Sequence, residues 1–206
     1  MKKVLQIIAV LLLMGSAKVF AGDTKPIQLS LFNPVQIYDE NTSIKGFSFN
    51  LIYGVNDNVS GCSFGLVNQV KKNVKGVQGG FVNNVGGDFS GEQGGLANIT
   101  GGNFDGEQGG FVNIVRGNFD GGQGGFVSVV NGSFSGSQWG VVNIVKGDFT
   151  GLQMGAIYNY AGKMSGIQFG LVNNTGSLSG LQIGLINING SKDPFHVLPI
   201  VNFNFK

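Results

Sequence analysis

From Gly76 the chain repeats a fifteen-residue unit. GVQGGFVNNVGGDFS is followed by windows opening at Gly91, Gly106, Gly121, Gly136 and Gly151, each fifteen residues after the last. A fixed period of this size is the mark of one supersecondary unit stacked on copies of itself, and such units bury their apolar side only against their neighbours. The unit carries Gly first and fifth, Gln third, an aliphatic residue usually seventh, and Asn usually eighth. A β-branched residue is common at the tenth position, Gly at the twelfth, and an apolar residue stands fourteenth. The alternation through Gly-x-Gln-x-Gly-x-Val has the period of two that belongs to extended strand, and no stretch holds a 3.6 period. The expectation is an all-β repeat protein.

Counting backwards in fifteens gives weaker windows at Gly61, Gly46 and Leu31. Counting forwards gives Gly166, one residue short, then Gly180, then Phe195 to Lys206, where PIVN (Pro199 to Asn202) echoes GFVN. Twelve units result, degenerate at both ends as capping repeats are. The expected division is a secretory signal over 1–21, a lead-in over 22–30 and a single repeat domain over 31–206.

Two architectures fit this pattern. In a parallel β-solenoid each unit is one coil, with one strand near positions two to seven, a corner at the Asn, and a second strand near positions nine to fifteen. Equivalent side chains then stack. Gln78, Gln93, Gln108, Gln123, Gln138, Gln153, Gln168 and Gln182 become one amide ladder, and Asn68, Asn83, Asn98, Asn113, Asn143, Asn173, Asn187 and Asn202 another. Close approach of two sheets is the expected reason for Gly at positions five and twelve. In the alternative, a twelve-stranded up-and-down outer-membrane barrel, each unit is one antiparallel strand. Pairs such as Gly87-Asp88, Gly102-Asn103 and Asn131-Gly132 then make two-residue turns. Equal strand and turn lengths supply no stagger for barrel closure, and Glu92, Glu107 and the Asn series would interrupt a lipid-facing band. The solenoid is therefore the preferred reading.

In the solenoid the fourth and sixth positions point outward. They carry Phe81, Leu96, Phe111, Phe126, Val141, Leu171 and Leu185 in the sixth place and Trp139, Met154, Phe169 and Ile183 in the fourth. A stripe of this kind exceeds the apolar patch that a soluble monomer usually shows, so it is expected to meet a second subunit, a membrane or another partner.

Other features bound the chemistry. Lys2 and Lys3, the apolar run from Val4 to Met14 and the small residues near Ala21 read as a signal peptide, the run being too short to span a bilayer. Cleavage after Ala21 would remove Lys2, Lys3 and Lys18, bringing the 13 basic residues below the 11 acidic ones. A near-neutral chain does not suit nucleic acid as a partner. The lone Cys62 has no disulfide partner, and the lone His196 has no second histidine with which to hold zinc. Asp88, Asp105, Asp120 and Asp148 recur in turns, but the calcium-binding β-roll has a nine-residue period, so solvated turn polarity is the preferred reading. The Gly-rich turns precede no helix and so make no phosphate loop. No catalytic residue, cofactor or metal is expected, and the chain is read as a non-enzyme.

In GLQIGLINI (Gly180 to Ile188) and GIQFGLVN (Gly166 to Asn173) the chain resembles a family of bacterial surface repeat-containing proteins of leptospires and other Gram-negative bacteria, with G-x-Q-x-G-[FLV]-V-N repeats. The resemblance runs from about Gly46 to Phe205. It implies location at the outer membrane or cell surface, with the periplasm as the other compartment, and carries over no catalytic residue. The central GEQGGF and GGQGGF windows depart from the family's apolar form. The Gly-rich coils are also similar to the heads of trimeric adhesins, without a coiled-coil stalk. The expected role is an extended β-surface for binding or self-association, or, in the barrel alternative, a pore or structural barrel.

Overall fold

Fifteen-residue periodicity and a buried Gln column require neighbouring coils to lie parallel and in register, and the backbone does so. A computed structural model describes residues 24–205, all of it strand and connecting turn. The expected signal segment lies outside the described residues. The strands are β1 (Thr24–Phe32), β2 (Val35–Gln36), β3 (Ser43–Asn56), β4 (Val59–Val70), β5 (Val74–Val85), β6 (Phe89–Thr100), β7 (Phe104–Val115), β8 (Phe119–Val130), β9 (Phe134–Asn189) and β10 (Val197–Asn204). The chain divides at Leu96/Ala97, inside β6, into two compact units.

In the first unit the strand order is β2-β1-β3-β4-β5. β4 and β5 pair parallel with like opposite like: Val59 with Val74, Gly61 with Gly76, Asn68 with Asn83. In the second unit the order is β7-β8-β9-β10, and Gly106 lies opposite Gly121 and Gly121 opposite Gly136 in the same parallel register. β9 continues as extended chain through successive coils. This is a parallel β-solenoid. An up-and-down barrel would pair each unit antiparallel with the next, so the parallel fifteen-residue register excludes it.

The path of the coil differs from the expected one. Strand runs from position fourteen through the first Gly to position ten, as in β7 and β8. Pairing is interrupted at position six, between Gly125↔Gly140 and Val127↔Val142, and again in the turn at positions eleven to thirteen. The eighth-position Asn is not a corner; it lies in the ladder and turns its side chain inward. The bend sits instead at the first Gly, which has φ between 124° and 144° in ten successive repeats from Gly46 to Gly180. A Cβ there would also lie 2.1 Å from the carbonyl oxygen one coil below, as at Gly121 over Gly106. Both the backbone conformation and the space exclude a side chain.

Ten such glycines are fewer than the twelve coils counted from the sequence. At the start, the stretch expected to be a lead-in is already a rung: β1 pairs parallel with β3, placing Gln28 opposite Ser48. Gln28 is fully buried and holds the Gln position. Its loop is longer than the repeat, which is why counting in fifteens misses it. Glu40 in this loop meets Lys71 at 2.6 Å and accepts from Asn33. The Lys71 and Asn33 hydrogen bonds hold its carboxyl below the usual range. This contribution to stability is present at neutral pH and lost as the pH falls through the folded value. At the other end the PIVN echo is not a coil. β10 turns back and pairs antiparallel with β9, Asn202 opposite Gln182.

The interior of each unit holds four columns, at positions three, eight, ten and fourteen. Val85, Val115, Val130 and Val145 fill the tenth column, and Phe104, Phe119, Phe134 and Phe149 stack face to face at 4.7–4.8 Å in the fourteenth. Stacking at this distance follows from the ~4.8 Å separation of paired strands.

The glycines separate into two kinds. A Cβ at Gly121 meets a carbonyl and a left-handed backbone, whereas a Cβ at Gly109 meets nothing within 4 Å. Gly121→Ala is expected to lower the unfolding free energy by about 3 kcal/mol or more, and Gly109→Ala to change it by less than about 1 kcal/mol. Equal losses in urea denaturation would contradict this assignment of the bend.

Candidate binding face

The outward side chains are positioned by what the inward ones must do. A buried amide needs partners for two donors and an acceptor, and in this coil the nearest partner is the same amide one coil away. Gln93 Nε2 donates to Gln78 Oε1 at 2.8 Å in the first unit. In the second, Gln123 donates to Gln108, Gln138 to Gln123, Gln153 to Gln138, Gln168 to Gln153 and Gln182 to Gln168, all at 2.7–2.8 Å. Each of these Gln-to-Gln bonds runs toward the preceding coil. Asn202, expected in the Asn ladder, instead donates to Gln182 Oε1 at 3.1 Å and so closes the end of the Gln column.

The Asn ladder runs the other way. Asn68 Nδ2 donates forward to Asn83 Oδ1 at 2.8 Å and to the carbonyl of Gly79 at 2.9 Å. Asn98 treats Asn113 and Gly109 alike, and Asn173 treats Asn187 and Ile183 alike. The sequence reading missed Asn159, which stands one place late in its repeat. It receives Asn143 and donates to Asn173. The signal was the spacing on either side, sixteen residues and then fourteen.

This ladder fixes the fifth position. A Cβ on Gly140 would lie 2.3 Å from the Gly125 carbonyl and 2.9 Å from Asn143 Oδ1, and one on Gly170 would press on the Gly155 carbonyl and on Asn159. Crowding against the preceding coil and the ladder Asn is therefore the reason for this Gly, rather than the approach of two sheets. The strand alternation then leaves positions four and six pointing out on either side of bare backbone.

The apolar side chains expected outward are placed as follows. In the first unit Phe81 and Leu96 are 58% and 54% exposed. In the second, Phe111 and Phe126 are 55% and 47% exposed and stack on each other at 4.8 Å. Trp139, Met154, Phe169, Leu171 and Leu185 are exposed too, while Val141 and Ile183 are half-buried. Exposed Phe49, Phe64 and Leu66 continue the same positions in the first unit, and Ile200 adds to the face from β10; none of these was in the sequence-derived stripe.

In the second unit the two columns enclose an open groove of about 760 Å³. Trp139, Met154, Phe169 and Ile183 form one wall and Ala156, Leu171 and Leu185 the other. The backbone of Gly140, Gly155, Gly170 and Gly184 forms the floor, and Ile200 lines it from β10. The volume is within the ~300–1,000 Å³ usual for ligand sites, but no convergent polar group lines it.

The polar side of the coil has a structural use. Asn103 Oδ1 accepts from the backbone N–H of Asn118, and Asn118 Oδ1 from that of Ser133, so turn side chains join successive coils beside Asp105 and Asp120. Among the described residues no three His, Cys, Asp or Glu side chains gather in a metal-binding group. His196 is exposed and Cys62 is a half-exposed free thiol. No family model, curated protein or solved structure matches the chain.

The ladder has one faulty rung. Ser128 takes the Asn position, so Asn113 reaches only a hydroxyl at 3.4 Å, and Asn143 Oδ1 is buried without a partner. Ser128→Asn supplies both the missing acceptor and the missing donor. It is expected to raise the unfolding free energy by about 1 kcal/mol. Thr100→Val, which removes a buried unpartnered hydroxyl, is expected to do the same. A loss of stability in Ser128→Asn would mean that the site does not reproduce its neighbours' geometry.

Proposed function

We propose that this chain is a non-enzymatic bacterial surface repeat protein, exported to the outer membrane or cell surface, where its outward β-face binds or self-associates. The observation that carries this reading is the apolar character of positions four and six, on the side of the coil away from the polar turns. Large aromatic and aliphatic side chains stand at position six in both units, and at position four except where Gly79, Gly94, Gly109 and Gly124 take it, most of them exposed by about half. In the second unit these side chains line one groove, and apolar surface of that kind is held by partners, not by water. The signal-like N-terminal sequence and the G-x-Q-x-G-[FLV]-V-N repeats favour the envelope as its setting.

The chemistry of the inward residues supports a scaffold role. Most of the buried Gln and Asn side chains make coil-to-coil hydrogen bonds, and the groove offers dispersion and desolvation rather than acid–base groups. An extended repeat of this sort gains affinity by adding like contacts coil by coil.

Phe111→Asp together with Phe126→Asp places two charges on the outward column and touches no ladder. The variant is expected to fold normally and to move from the envelope fraction of expressing cells to the soluble fraction. Unchanged fractionation, with protease shaving of intact cells also unchanged, would overturn the binding role of the face.

A further inference from the structure

We infer that the groove over Trp139, Met154, Phe169, Ala156 and Leu171 is the contact face of a homodimer, in which a second copy of this chain lays its own outward ridge into the groove. The inference deepens the proposed function and rests on its reading of the outward positions as a binding face.

Area is the first ground. Trp139, Met154, Phe169, Leu171, Leu185 and Ile200 are each between 43% and 68% exposed. On residues of ~150–250 Å² that amounts to on the order of 500–800 Å², mostly apolar, on one side of the unit. A standard interface needs ~800 Å² from each partner, so the face approaches that size. The largest apolar patch on an ordinary monomer is smaller, ~300–600 Å².

Shape is the second ground. The face is a ridge beside a groove: Trp139, Met154, Phe169 and Ile183 rise on one edge, and the backbone of Gly140, Gly155, Gly170 and Gly184 lies below them. Ala156, short where Phe81, Phe111 and Phe126 stand in other repeats, keeps the groove open. Ridge and groove share the ~4.8 Å spacing of the coils. A copy related by a two-fold axis offers a ridge with the same spacing, so a contact made on one coil recurs on the next. Such an interface is isologous and closes at two subunits. A partner without this repeat would match one coil and lose register at the next.

Sedimentation velocity of the purified full-length chain over a concentration series tests the inference. The wild type is expected to pass from monomer to dimer as concentration rises. Ala156→Phe fills the groove with the residue this column already accommodates elsewhere, and should weaken dimerisation by at least about tenfold. Leu171→Lys with Leu185→Lys should do the same by charge and serves as the second variant, with circular dichroism verifying the β-fold. Asp105→Asn with Asp120→Asn, on the polar side and outside the groove, should leave the dimer intact. A wild type monomeric at every concentration would overturn the dimer. So would a dimer indifferent to both groove variants, or a monomer that uses the groove to bind phosphatidylcholine vesicles. If the wild type is monomeric but Phe111→Asp with Phe126→Asp still releases it from the envelope, only the dimer fails. If that release is also absent, the binding-face reading fails with it.

Discussion

Buried primary amides are the constraint on which this structure depends. A Gln or Asn side chain inside a coil has both donors and acceptors to satisfy, and leaving one unpaired costs about 1–3 kcal/mol. Here the partner is the same residue of an adjacent coil, as in the bonds of Gln138 to Gln123 and Asn173 to Asn187. A shift of register by one residue would break these bonds and turn every inward side chain out. The ladders thus do for register what apolar patterning does for most sheets. Their cost is visible where a rung is missing. Gln78, with Ser63 beneath it in place of Gln, has a buried Nε2 without a partner.

The outward face follows from the inward one. Gly at position one bends the chain, Gly at position five clears space for the Asn amide and its neighbouring coil, and alternation sends positions four and six to the surface. Because the interior is satisfied by ladders and by stacked Phe104, Phe119, Phe134 and Phe149, the large side chains of Trp139, Phe169 and Leu185 are free of any core duty. They are the positions that vary in size from repeat to repeat, and they shape the groove. At its end β10 both closes the Gln column through Asn202 and adds Ile200 to the groove. Lys192 holds Asn202 Oδ1 at 2.9 Å, fixing the amide so that its donor faces Gln182.

Much of this was legible in the sequence, because period and alternation translate directly into stacking and facing. The Gln series Gln78 to Gln182 and the outward placement of Phe81, Phe111 and Phe126 follow from counting residues. What was not legible depends on events that break the count. Gln28 belongs to the Gln column, but a longer loop separates it from the next rung. Asn159 belongs to the Asn ladder, but an extra residue precedes it and one fewer follows. The bend at the first Gly is a property of backbone dihedral and of the carbonyl below, neither of which a residue type alone discloses. The reversal at β10 could not be read from PIVN, since an antiparallel strand and a parallel coil share the same alternation. The groove was hidden for a different reason: it is the gap left by Ala156 between larger neighbours, visible only once columns four and six are known to stand side by side.

The parallel register of fifteen carries the ladders, the Phe stack and the binding face together, so it is the claim to test most directly. Asp105 and Asp120 lie opposite one another on adjacent strands and face the polar side. With Cys62→Ser, the pair Asp105→Cys and Asp120→Cys can be spin-labelled and their separation read by electron paramagnetic resonance. Backbones ~4.8 Å apart should give a strongly coupled, broadened spectrum. Two uncoupled labels tens of ångströms apart, as at opposite ends of neighbouring ~40 Å antiparallel strands, would contradict the account.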